Sequence, residues 1–218
     1  MLDKKEIRSL AIPAILYNIT EPLIGLADTA IIGQLENNST IAQGGVGLAA
    51  GLIATLIWGF AQMRTSLSAI ISRHVGSHQL RRINSLIPQA LLLTITTGLI
   101  LSLLLGFYYQ EIVFLFFGKT DPLTYEYSNQ YFIIRSYGIP LGLIIALFFG
   151  IFRGFQNTYW AMYISIIGGI SNILLDYLLV LGVNEIIMPM GVKGAAYASV
   201  ISQIIMTFSC IFIYLQKT

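Results

Sequence analysis

Three acids stand inside long apolar stretches. Glu21 and Asp28 lie in "EPLIGLADTAIIGQL", and Asp176 lies in "SNILLDYLLVLG". An acid at the centre of a membrane helix costs about 2.5–3.5 kcal/mol on insertion scales, and ionisable residues kept at that cost usually serve function. Asn172 comes four residues before Asp176, so amide and acid project from one helix face. A carboxylate with an amide oxygen and a hydroxyl nearby would make an oxygen cage for Na⁺. The same carboxyl, taken out of water, could instead bind a proton near neutral pH. Residue types alone leave both open, beside a plainer alternative: a neutral Asp hydrogen-bonded across helices as structural glue. Glu21 precedes Pro22, so its carboxyl also has a local use, satisfying a freed backbone N–H. Asn18, Thr20 and Thr29 belong to the same local accounting.

The elements that carry these groups follow from composition. The chain has 218 residues, of which 56% are hydrophobic and 10% charged, with mean hydropathy +0.78. A soluble domain carries about 25% charged residues, and this chain has too little polar surface to cover a water-facing globule. Its natural solvent is the bilayer. Six stretches are long and apolar enough to span it, at about 10–34, 41–63, 84–107, 131–151, 159–181 and 191–214. Lipid cannot satisfy backbone polar groups, so spans must be helices or a closed barrel. These runs are too long and too continuously apolar for barrel strands, which alternate over about ten residues. The fold expected is an all-α membrane protein, a six-helix bundle forming a single transmembrane lobe over residues 1–218.

Six spans put both termini on one side. Lys4, Lys5, Arg8, Arg73, Arg81, Arg82, Arg153 and Lys217 fall on that side, whereas the opposite loops hold Lys119 and Lys193 among several acids. The positive-inside rule therefore places both termini in the cytoplasm. Arg64 and Arg135 are assigned to span ends, where a long side chain can snorkel to water, with an inward-facing role as the alternative. His74 and His78 fall in a solvated basic loop. A net charge of +2, spread over span ends, gives no sign of nucleic-acid binding. The single Cys210 excludes an intrachain disulfide, and the N-terminal residues do not read as a cleavable signal peptide.

Depth can be read from helical rise. Asp28 lies roughly 27 Å along span one and Asp176 roughly 25 Å along span five, while Ser199 lies roughly 12 Å back from the outer surface on span six. Asp28, Asn172, Asp176 and Ser199 can therefore share one layer in the outer half of the bilayer, with Glu21 about 10 Å deeper. Small residues in "GGVGLAAG" and "GVKGAAYAS" suit close helix packing. Pro13 and Pro22 interrupt the hydrogen bonding of span one, which makes it the least regular helix and the candidate hinge; Pro88 and Pro140 fall in spans three and four. No Gly-rich phosphate loop, Cys/His metal spacing or defensible Ser-His-Asp order is present, so no enzyme signature appears.

Three stretches carry a family resemblance: "EPLIGLADTAIIGQL", "RGFQNTYWAMY", and "SNILLDYLLVLG" followed by "MGVKGAAYASVISQ". Together they resemble the N-terminal half of a MATE (multidrug and toxic compound extrusion) transporter, closest to its DinF-like branch, over essentially all 218 residues. The resemblance implies one lobe of a twelve-helix antiporter of the plasma membrane. Such a protein exports amphipathic organic compounds in exchange for H⁺ or Na⁺ and uses no other cofactor. It implies as partners the bilayer, a small amphipathic substrate and a second six-helix lobe, the present chain reading as a fragment of the whole. Carried over by motif, the cation-binding residues are Asp28, Asn172, Asp176 and Ser199, the last commonly Thr in the family. Ile24, one turn before Asp28, and the apolar "IIALFFGIF" of span four depart from the fuller polar set of some members and favour the proton. Two other readings stand beside it. A lipid-linked oligosaccharide flippase of a related superfold would need several cavity cations, and only Arg64 and Arg135 could serve. A non-transporting membrane interaction protein would find its acids dispensable.

Overall fold

A computed structural model describes residues 4–183 and 187–217, and the side chains of residues 4–10, Glu21, Leu56, Ala61 and Lys217 lie outside the described part. The described residues form α1 (Lys4–Ile32), α2 (Ser39–Ala61), α3 (Met63–Gly76), α4 (Leu80–Phe107), α5 (Tyr109–Phe117), α6 (Pro122–Ser136), α7 (Ile139–Gly154), α8 (Thr158–Val180) and α9 (Val192–Lys217). Among the described residues, Val183 and Ile187 form an isolated antiparallel bridge. Five stretches cross a membrane by length and composition, and α6 with α7 make a sixth, bent by 53°.

Three boundaries differ from the sequence expectation. The second span does not end near residue 63: α2 and α3 continue as one apolar stretch from Ser39 to Gly76. The segment after span three folds into the short helix α5, whose exposed Phe114, Leu115 and Phe116 suit the membrane interface. Span four begins nine residues before 131, because "TDPLT" is a helix start rather than a loop. Asp121 caps α6 by accepting from the N–H groups of Leu123 (3.2 Å) and Thr124 (3.1 Å), and Pro122 fills the first turn, where its missing donor costs nothing. Span four then breaks at Tyr137–Gly138, and Pro140 falls in the first turn of α7. By contrast, α1 stays helical through Pro13 and Pro22. Hydroxyl and amide side chains bond back one turn along it, Asn18 to Ala14 C=O (2.7 Å), Thr20 to Leu16 C=O (2.9 Å) and Thr29 to Gly25 C=O (2.8 Å).

The bundle has two buried apolar clusters, one toward each end. One gathers Ile32, Val113, Phe132, Ile139 and Val180 from α1, α5, α6, α7 and α8. The other gathers Tyr17, Ile71, Ile83, Ile151 and Ile164 from α1, α3, α4, α7 and α8. Lipid gives no hydrophobic drive between helices, so association rests on close packing. Gly45 supplies it between α2 and α6, where an added Cβ would lie 2.8 Å from Thr124 C=O. Gly194 does so between α9 and α8, where a Cβ would lie 2.5 Å from Leu179 C=O. The α8–α9 turn is closed by Met190 N–H to Leu179 C=O (2.9 Å) and Gly191 N–H to Val180 C=O (3.2 Å). Helix α8 is thus held between α1 on one side and α9 on the other. The outer faces expose Leu92, Leu93 and Leu103 on α4 and Phe208, Phe212 and Leu215 on α9, a surface suited to acyl chains rather than water.

Candidate cation site

The site lies where α1, α8, α9 and α6 meet. Asp28 (α1), Asn172 and Asp176 (α8) and Ser199 (α9) are all buried, Asp176 completely. The common depth expected from helical rise is thus a physical meeting of three helices. With its amide oxygen facing the donor and its nitrogen facing the acceptor, Asn172 donates to Asp28 Oδ1 (2.9 Å) and accepts from the Ser199 backbone N–H (3.3 Å). The Ser199 hydroxyl lies 3.5 Å from the same amide. The Asp28 and Asp176 carboxyls lie within hydrogen-bonding reach of each other. Such a contact requires a proton on one of them, because two ionised carboxylates cannot share it. Among the described residues Asp176 Oδ1 has no hydrogen-bond partner.

Two more groups complete the site, both from α6 and neither among the sequence-derived candidates. Tyr131, 3% exposed, places its hydroxyl within hydrogen-bonding reach of Ser199. Arg135, one turn later, sits close enough for its charge to act on Asp28, Asp176 and Tyr131. The assignment of Arg135 to a snorkelling span end therefore gives way to its inward-facing alternative. The cause is the earlier start of α6. Arg135 lies about 20 Å along the helix from Pro122, well below the surface. The signal was present as "DPLT" and as Tyr131 and Arg135 four apart, one helix face.

Arg64 also faces inward, at the start of α3, where it donates to the Tyr17 hydroxyl and stacks its guanidinium 5.5 Å from the Tyr17 ring centre. Tyr17 in turn meets Phe149 edge-on, at 5.1 Å between ring centres. Arg64 and Arg135 are thus engaged with separate groups rather than paired in one cation cluster. The backbone of Glu21 lies in α1, but its side chain lies outside the described residues. Among the described residues no group of three or more His, Cys, Asp or Glu is placed to hold a metal ion.

Residues 13–178 match the MatE family. The chain belongs to that family. MatE proteins are transporters rather than enzymes. This MatE chain is 31% identical over 199 residues to the DNA damage-inducible protein F of Escherichia coli (strain K12), covering 91% of this chain and 41% of that protein. It is 28% identical to the probable multidrug resistance protein NorM of Thermotoga maritima, over 93% of this chain and 42% of that one. Its fold superposes with a TM-score of 0.85 on the outward-facing conformation of a multidrug resistance MATE family transporter, at 22% identity over 98% of this chain and 46% of that chain. The MatE chain thus spans less than half the length of each of these relatives.

Proposed function

We propose that this chain is the cation-binding lobe of an antiporter in the plasma (inner) membrane. It would work with a second six-helix lobe, keep both termini in the cytoplasm, and export small amphipathic organic compounds in exchange for H⁺ or Na⁺. The observation that carries the reading is the joining of Asp28 and Asp176, two buried acids on different helices of an apolar lobe, into one hydrogen-bonded group with Asn172. Charge in such a place is costly unless neutralised, so uptake of a cation changes the energy of the α1–α8 contact directly. A cation bound with different affinity in two packings of α1 against α8 shifts the balance between them, and that shift is the link to substrate release. The donor set favours the proton over Na⁺: the Asn172 oxygen is already turned to the Ser199 N–H, and Arg135 places a fixed positive charge beside the carboxyls.

The test is drug accumulation in cells that carry the lobe together with its second half. Asp28→Asn and Asp176→Asn each lower efflux at least tenfold while the protein remains at wild-type level in the membrane. Unchanged efflux in both variants would rule out the reading and favour a non-transporting role.

A further inference from the structure

Arg135 acts on the site by its charge, yet among the described residues two of its nitrogens are left without a hydrogen bond. Its Nε and Nη1 atoms are shielded from solvent and have no hydrogen-bond partner. Arg135 is half-buried as a whole, and donors shielded from water without an acceptor are costly. A complementary group without a partner lies in the same site, the Asp176 Oδ1 acceptor. A third such atom, Gln203 Oε1 on α9, lies against Gly138, three residues after Arg135. The charged or titratable groups around the guanidinium are Asp28 from α1, Asp176 from α8 and Tyr131 from α6, and α9 brings the neutral Ser199 and Gln203. Helix α6 ends one residue after Arg135, at the 53° bend into α7. The guanidinium therefore rides on the last turn of a half-helix that ends at the bend.

We propose that Arg135 is a tethered cation of the site: its guanidinium competes for Asp176 with any metal cation that enters, so that Arg135 sets the selectivity of the site against sodium. The inference rests on the reading of Asp28 and Asp176 as the cation-binding pair and adds to it the residue that chooses the cation. A guanidinium meets a carboxylate through two parallel N–H donors. An ion pair of that kind satisfies the unpaired atoms of both residues at once. Sodium entering the same space would have to displace the guanidinium, sit beside an unscreened positive charge, and turn the Asn172 amide away from the donation it makes to Asp28.

The experiment uses the 218-residue chain in detergent micelles, with unfolding temperature followed in NaCl and in choline chloride at equal ionic strength. The wild-type chain shows no difference between the two salts. Arg135→Gln gains a saturable sodium-specific rise of roughly 2–4 °C, Arg135→Lys binds sodium at least tenfold more weakly than Arg135→Gln, and adding Asp176→Asn to Arg135→Gln abolishes the gain. Arg135→Met supplies the same measurement should the glutamine variant aggregate. A sodium-specific rise in the wild-type chain that Asp176→Asn removes would overturn the inference, and so would a folded Arg135→Gln chain indifferent to sodium. Neither result touches the efflux test of the two aspartates: inactive aspartate variants together with a sodium-indifferent Arg135→Gln chain reject the selectivity role alone.

Discussion

The Asn172 amide joins Asp28 of α1 to Ser199 of α9. Its nitrogen serves Asp28 and its oxygen serves α9, so it ties α1, α8 and α9 through a single side chain. Interhelical hydrogen bonds in membranes average about 0.6 kcal/mol and reach about 1.7 kcal/mol. Asn172→Ala therefore destabilises the chain by about 0.5–2 kcal/mol, measured by reversible unfolding in mixed micelles. Ser199→Thr keeps both the backbone donor and the hydroxyl and stays within about 0.5 kcal/mol of wild type. Equal losses in the two variants would show that the contact is packing rather than polar.

The residue scale is also where the sequence was most readable. Asp28 and Asp176 announce themselves because an acid in an apolar run has so few affordable surroundings, and Asn172 and Ser199 follow by helical spacing and depth. Tyr131 and Arg135 were hidden for the opposite reason. A tyrosine and an arginine near the start of a span are what interfacial anchoring predicts, so only the true start of α6 shows that the two face the site.

At the scale of elements, the small-residue stretches separate into glycines that are touched and glycines that are not. Gly194 lies against the α8 backbone at Leu179, whereas Gly47, from "GGVGLAAG", has nothing within 4 Å of an added Cβ. Composition could not tell them apart, because both stretches carry the same small residues, and contact depends on where the neighbouring helix passes. Gly194→Ala forces α8 and α9 apart and costs about 1–3 kcal/mol. Gly47→Ala on the isolated chain costs nothing measurable or gains up to about 1 kcal/mol through helix propensity. Unfolding of the two variants side by side checks the pair, and a Gly194→Ala chain as stable as Gly47→Ala would contradict the packing described for α8 and α9. Prolines gave a related lesson. Pro13 and Pro22 mark α1 as the irregular helix by rule, yet α1 stays helical and the break falls at Tyr137–Gly138, ahead of Pro140. A proline in a first turn is compatible with its helix, so what Pro140 marks is the start of α7 rather than a kink within it.

At the scale of the whole molecule, the number of spans was legible from hydropathy, because it depends on the chain's average chemistry rather than on exact contacts. The arrangement carries a topological consequence. The α3–α4 turn at His78 and the α5–α6 turn at Lys119 lie at opposite ends of α4 and its extension α5. With Cys210 buried and replaced by alanine, a cysteine at His78 reacts with an impermeant thiol reagent only from the cytoplasmic face of oriented vesicles, and one at Lys119 reacts only from the other face. Labelling of both from one side would refute the six-span arrangement and the placement of the termini. The apolar α4 and α9 faces add that the chain needs detergent or lipid to remain dispersed, since so large an exposed apolar area would associate in water.

The break in span four has an electrical side. Each helix end carries about half an elementary charge, negative at the C-terminus and positive at the N-terminus. A continuous span keeps those ends at the two membrane surfaces, but α6 ends at Ser136, inside the bundle, with Arg135 in its last turn. The carbonyl end of that turn puts partial negative charge beside the guanidinium, and the first turn of α7 begins a new dipole a few residues on. Backbone geometry therefore makes a half-buried arginine more tolerable at this position than in the middle of an unbroken helix. Straightening α6 into α7 would withdraw that local field and leave Arg135 dependent on the carboxylates alone, so the angle of the joint and the resting place of the charge are set together.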